Sequence, residues 1–210
     1  MWTFERKTKI DCFFDLLQTE LHRFASLFPN QIHLSNCVDD RTTHLIVGNE
    51  EKTLLCPLTI KLFQAIARHL FVVSYRWITE CLKQTQLIDE LPFEIRGDLP
   101  YGHYHDGMRT SRLTKNRYLF EKCQFFILCN GCQEIMSKSE LTSLITLCHG
   151  TILSNFPLTS STDSSVLTII VCDKLLPFKT STEQQLYENS RTNGVHFLNP
   201  EWIFESIVQY

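Results

Sequence analysis

The chain repeats one sentence. "FVVSYRWITECL" at residues 71–82 and "VHFLNPEWIFES" at residues 195–206 both set an apolar run ahead of a lone Trp. Both continue Trp-Ile-x-Glu, then a small residue and an aliphatic one. Other pairs keep a similar spacing. Glu20-Leu21 returns as Glu140-Leu141, Ser35-Asn36 as Ser154-Asn155, and Trp77 as Trp202. A period above 100 residues specifies two tandem domains rather than a solenoid of short repeats.

Each half reads as strands alternating with helices. In the first, Phe14, Leu17, Leu21, Phe24 and Phe28 recur at three- and four-residue steps behind Asp11, a candidate N-cap, which predicts a helix ended by Pro29-Asn30. "QIHLS" and "THLIV" have strand character, Leu58, Leu62, Ala65 and Ile66 lie on a second helix face, and "LFVVS" leads into the Trp77 helix. In the second half, "QFFILC", "TILSN", "VLTIIVC" and "VHFLN" are strands. A helix carries Leu141, Leu144, Ile145 and Cys148, a polar one covers residues 183–189, and a last one holds Trp202. Near-continuous apolar strands between helices imply an α/β class with a parallel sheet covered on both faces. Residues 97–117 carry three Gly, one Pro and a run of basic side chains with little apolar periodicity, and read as a linker. The expected division is 1–96, linker 97–117, and 118–210. A Trp on a helix behind a core strand anchors that helix by burying its indole, so both Trp residues read as fold signatures rather than active-site groups.

Composition narrows the function classes. Hydrophobic residues make up 43% and charged residues 20%, enough apolar surface for real cores. A net charge of -3 does not suit a general binder of the DNA backbone, whose affinity comes from many Lys and Arg contacts. No apolar run reaches the roughly 18 residues a membrane helix needs, and the first residues lack the layout of a signal peptide, so no membrane partner is expected. Nine Cys without framework spacing, most of them inside apolar runs, point to a reducing compartment, cytosol or nucleus. The one Cys-x-x-Cys, Cys129 and Cys132, has no second ligand pair at zinc-site spacing and reads as two unrelated thiols at a strand end. No Gly-x-Gly-x-x-Gly, Walker loop or Gly-x-Ser-x-Gly elbow occurs, so an enzyme is not expected, and neither cofactor nor metal is implied. His103 and His105 read as exposed linker residues.

Several motifs together carry a family resemblance. "RTTHLIV" at 41–47, "LTIKLFQAIA" at 58–67 and "FVVSYRWITECL" resemble successive signatures of the BRCT (breast-cancer C-terminal) family. "LPFEIRGD" at 91–98 and "HDGMRTSR" at 105–112 resemble a linker between two such domains. The resemblance covers essentially the whole chain. It implies two domains, each a four-stranded parallel sheet flanked by three helices, and binding of phosphorylated protein segments of the pSer-x-x-Phe type. It also implies a nuclear scaffold module of the DNA-damage response within a longer parent protein, where a catalytic domain such as a RING ubiquitin ligase, or a partner subunit bound through another domain, would lie outside this chain.

Carried over position by position, the resemblance assigns the phosphate to Thr59 and Lys61 on the second helix. Thr8 and Lys9 stand where the family has Ser/Thr-Gly after the first strand. The peptide's aromatic side chain falls to Phe63, Met136 and Phe204. A helix start suits an anion, because its free N–H groups and dipole favour negative charge, and a phosphate of about -1.5 to -2 charge needs a cation such as Lys61. Two departures stand out. Leu58 and Pro200 occupy positions where the family usually has Arg, whose charged hydrogen bonds read the peptide backbone and carboxyl groups. The rival readings are a BRCT pair making phosphate-independent protein contacts and, less favoured, DNA-end binding through Arg109, Arg112, Lys115 and Arg117.

Overall fold

The computed structural model describes residues 15–35, 37–48, 53–102, 104–132, 136–173 and 181–210. Two compact units emerge: Met1–Lys115 with Gln209–Tyr210, and Asn116–Val208.

In the first unit, helix α1 (Asp15–Leu27) precedes strand β1 (His44–Val47), short strand β2 (Leu55–Cys56), helix α2 (Ile60–Ala67), strand β3 (Phe71–Ser74) and helix α3 (Arg76–Gln84). Strand β4 (Gly97–Asp98) and helix α4 (Gly107–Leu113) complete it. Strands β1 and β3 pair in parallel, His44 opposite Phe71 through Val47 opposite Ser74, and β2 pairs in parallel with β4. All four residues of β3 are buried, as a strand covered on both faces requires. Leu21, Phe24 and Phe28 of the α1 stripe meet Phe71 and Val73 of β3 and Trp77, Ile78, Cys81 and Leu82 of α3 in one core.

A column of stacked groups runs through this core. The Arg112 guanidinium sits 4.2 Å over the Phe71 ring, Phe71 stacks on His44 at 5.3 Å, and His44 on Trp77 at 6.1 Å. Trp77 then meets Phe24 edge-on at 5.4 Å. Trp77 is 1% exposed, and its indole N–H donates to the Ile88 carbonyl at 2.9 Å. That is the anchoring role the sequence predicts for it.

Two features differ from the expectation. "QIHLS" forms no named strand among the described residues, although Ser35 takes part in a bridge. Residues 97–117 are not merely irregular, since α4 lies inside them and packs on α2 and β3. Met108 and Ser111 of α4 are buried. Ser111 donates its hydroxyl to the Ile66 carbonyl at 2.5 Å, so its oxygen accepts from His69 Nδ1 at 2.9 Å.

The second unit holds a four-stranded parallel sheet made of β5 (Cys123–Ile127), β8 (Thr151–Ile152), β9 (Leu167–Val171) and β10 (His196–Leu198). Its order is β10-β9-β5-β8, so the first strand of the four lies inside and the second at an edge. A hairpin of β6 (Gly131–Cys132) and β7 (Met136–Ser137) leads into helix α5 (Lys138–Leu147). Ser137 caps α5 in a reciprocal capping box with Glu140. Helices α6 (Ser181–Thr192) and α7 (Pro200–Val208) complete the three-helix complement. This unit shows the α/β class with the four strands and three helices the resemblance implies, while the described strands of the first unit pair two by two, β1 with β3 and β2 with β4.

Trp202 departs from its counterpart. It is only partly buried, stacking on Phe120 at 5.9 Å with 25° between the rings. The expectation that both indoles are core anchors is therefore corrected for Trp202. Its truncation, Trp202→Ala, should cost about 1–2 kcal/mol, well below the range for a fully buried aromatic. A urea midpoint for the second unit shifted as far as that of a core deletion would contradict this.

Candidate phosphopeptide site

Three of the expected site residues lie on one helix. Thr59 is the N-cap of α2, with extended backbone (φ -140°, ψ 158°). Its Oγ1 accepts the Leu62 N–H at 3.2 Å, and its carbonyl accepts the Phe63 N–H at 3.2 Å. One of the orphan donors at this helix start is thereby satisfied by the chain itself. Thr59 is exposed and Lys61, two residues on, is half-buried. The first turn of α2 holds no acidic residue that would compete for an anion. Phe63, four residues after Thr59, is buried.

Met136 and Phe204 belong to the second unit. Met136 is buried on β7 opposite Cys132 of β6, and Phe204 is buried on α7, which packs against β6. The placement of Met136 depends on Gly131, whose φ of +137° disfavours any residue with a side chain. A Cβ there would sit 2.2 Å from the Met136 carbonyl. Thr8 and Lys9 lie outside the described residues.

At the two departures the local structure supplies reasons. Pro200 is the first residue of α7, where its fixed φ suits a helix start and its missing N–H would have had no helical acceptor. Asn199 caps the same turn, accepting the Trp202 N–H on Oδ1 at 3.0 Å. Leu58 is half-buried just before the Thr59 cap.

The basic stretch reads differently once its partners are seen. Arg112 forms a bidentate pair with the buried Glu94 at 2.7 and 3.0 Å, and Arg109 approaches the same carboxylate at 3.9 Å. Arg96 pairs with Asp106, whose carboxyl it holds below the usual range. His105 donates from Nε2 to the fully buried Asp98 at 2.8 Å, and its Nδ1 accepts the Gly107 N–H at 3.2 Å. The expectation of an exposed linker His is corrected for His105, while His103 lies outside the described residues. Sequence reasoning missed this clamp, although a signal existed. Glu94, Arg96 and Asp98 alternate along an extended segment, hence on one face, and each has its opposite charge, or an imidazole, on the returning chain.

The Cys-x-x-Cys is not a reactive pair. Both thiols are buried, and burial pushes Cys132 up to about 11 and raises Cys129, whereas a redox cysteine needs a lowered value. Among the described residues no cluster of three or more His, Cys, Asp or Glu is arranged to hold a metal, and no helix is long and apolar enough to cross a membrane.

Comparison with known proteins agrees with the duplicated fold. A model of the BRCA1 C Terminus (BRCT) domain matches residues 18–82, and a second BRCT domain model matches residues 118–210. Neither describes a catalytic family. The chain is 28% identical over 153 residues, 71% of its length, to the breast cancer type 1 susceptibility protein homolog of Mus musculus. It is 32% identical over 115 residues, 53% of its length, to BRCA1-associated RING domain protein 1 of Arabidopsis thaliana. It spans only 8% and 15% of those two relatives. Among solved structures, the S. pombe Brc1 BRCT5-BRCT6 domains superpose with a TM-score of 0.58 at 17% identity, over 99% of this chain and 91% of that one. The complex of Rtt107p with a phosphorylated histone gives 0.57 at 15% identity, over 95% and 84%. Matched by this domain model in each half and built on a duplicated α/β fold, the chain belongs to the BRCT family as a tandem pair.

Proposed function

We propose that this BRCT pair reads phosphoserine peptides of the pSer-x-x-Phe type, as a scaffold module of a nuclear DNA-damage-response protein. The observation that carries the reading is the start of α2. There an exposed Thr59 caps the helix, Lys61 follows two residues later, and the first turn holds no carboxylate. The helix dipole, the N–H groups of the first turn and the Lys61 ammonium would act on one dianionic ligand. The resemblance assigns the peptide's aromatic side chain to Phe63 of the first unit and to Met136 and Phe204 of the second, all apolar and buried, with Met an adaptable residue type. Thr8 and Lys9 would add a hydroxyl and an N–H to the same phosphate. A same-fold structure solved with a phosphorylated histone supports the class of ligand, and relatives named for breast-cancer susceptibility support the kind of parent protein.

A titration with paired pSer-x-x-Phe and Ser-x-x-Phe peptides tests it. The phosphorylated peptide should bind tighter, and Lys61→Ala should weaken it about 10- to 100-fold, the range for one hydrogen bond to a charged group. The variant's unfolding midpoint should stay within about 0.5 kcal/mol of the parent's. Equal binding of both peptides would favour the second reading, a BRCT pair making phosphate-independent contacts. Leu58 and Pro200 in place of the family's Arg residues speak for that alternative, as does the Thr59 hydroxyl already bonded to Leu62. DNA-end binding is weaker still, because Arg112 is committed to Glu94 and Phe71.

A further inference from the structure

The second unit carries a cleft that none of the residues above uses. It measures about 570 Å³ and is lined by Tyr187 and Arg191 of α6 and by residues 194–198. That volume lies within the range of ligand sites. Side chains alternate between faces along a strand, so five consecutive lining residues mean that the groove follows the edge of β10, not one face of the sheet.

That edge has backbone to offer. Among the described residues, strand β10 ends the sheet and pairs only with β9, in parallel. The Leu198 carbonyl accepts the Cys172 N–H at 3.0 Å, so Leu198 turns its peptide groups toward β9, and His196 does the same two residues earlier. In a parallel strand the intervening residue must turn both groups the other way. Phe197 therefore presents its N–H and C=O outward, into the groove. Its ring packs against Tyr187 at 4.2 Å between centroids, giving the groove an aromatic wall.

Arg191 places a positive charge beside the groove. Arg191 and His196 are exposed and line it, and no ion pair is found for either among the described residues. Glu188, three residues before Arg191 on the same helix, accepts from Gln184 at 3.0 Å and is not among the residues lining the groove. A strand edge flanked by Arg191 and His196 has the chemistry to take an extended chain with carboxylates.

We propose that the β10 edge of the second BRCT domain binds an extended acidic peptide segment of a partner protein by strand addition. The peptide pairs with the Phe197 N–H and C=O, sets an apolar side chain against Tyr187 and Phe197, and sets a carboxylate against Arg191. Backbone bonds give such a mode its affinity and alternate side chains its selectivity. The site requires no phosphate, lies wholly in the second unit and uses none of the residues assigned to the phosphopeptide.

The test uses the full chain and a fluorescein-labelled, unphosphorylated probe, acetyl-Val-Glu-Val-Glu-Val-Glu-Val-amide. Anisotropy should show saturable binding, and amide resonances around Phe197 should move in a titration of 15N-labelled protein. Arg191→Glu, a surface change, should weaken the probe at least tenfold, while Lys61→Ala leaves it unchanged. A probe N-methylated on alternate residues, on the edge that faces β10, should lose binding although its charge is intact. Three outcomes overturn the proposal: equal binding by Arg191→Glu, equal binding of a probe with Lys in place of Glu, or displacement of the probe by a short DNA duplex at lower concentration than by unlabelled peptide. The last would make the groove a nucleic-acid contact.

Discussion

Trp77→Ala should remove about 3–5 kcal/mol from the stability of the first BRCT domain, the range for truncating a large buried aromatic. The indole is 1% exposed, sits between His44 and Phe24 in the stacked column, and holds the Ile88 carbonyl through its N–H. Alanine would leave a void beside the His44 and Phe24 rings and an Ile88 carbonyl without its indole donor. A domain of this kind has roughly 5–15 kcal/mol in all, so the loss is a large share of the total. Far-UV circular dichroism in urea should show the first domain's midpoint falling by about 2 M, taking a slope near 2 kcal/mol per molar. Trp77→Phe, which restores most of the ring but not the N–H, should recover more than half of the loss. A change under 1 kcal/mol for Trp77→Ala would remove the Trp77 anchor from the account of this fold.

The second large effect is a loss of stability in acid, caused by His44. Burial first, and the charges of Arg112 and Lys115 after it, push this imidazole down to about 4. In the unfolded chain it titrates near 6.5. Below that pH the unfolded chain takes up a proton that the folded domain refuses until about 4, so the unfolded state binds more protons. Stability therefore falls as pH drops through this window, by about 3 kcal/mol in all. Glu90 works against the trend. Desolvation holds its carboxyl above the usual range, so its protonation relieves a cost as the pH falls. The clean measurement is the stability of the parent minus that of His44→Gln, followed by urea unfolding from pH 7 to pH 4. That difference should decline by about 3 kcal/mol, and a flat difference would show that His44 does not set the acid limit.

Much of the fold was legible because burial leaves a periodic trace. The buried run of β3 and the α1 stripe both follow from local pattern. The clamp around α4 left only the alternation of Glu94, Arg96 and Asp98, since their partners lie far along the chain, Asp106 10 residues from Arg96 and Arg112 18 residues from Glu94. Trp202 shows a subtler failure. Aligned on their Trp residues, α3 and α7 look alike, yet α3 buries Trp77, Ile78, Cys81 and Leu82 while α7 buries Ile203, Phe204, Ile207 and Val208. The two stripes have the same spacing, but in α7 it begins one residue after the Trp. One helical step is about 100°, enough to carry Trp202 from the core to its rim. The candidate site was legible only through the family resemblance, because a helix cap and one Lys have no periodicity of their own.

The buried thiols have a practical consequence for kinetics. Cys56 in the first domain and Cys148 in the second are both pushed up to about 12 by burial, so at neutral pH neither offers a thiolate to an alkylating reagent while its surroundings stay closed. Modification must wait for an opening event, and its rate measures how often that event occurs. Single-cysteine versions retaining one or the other thiol would thus act as two clocks in one polypeptide, each timing the excursions of its own domain under fully native conditions.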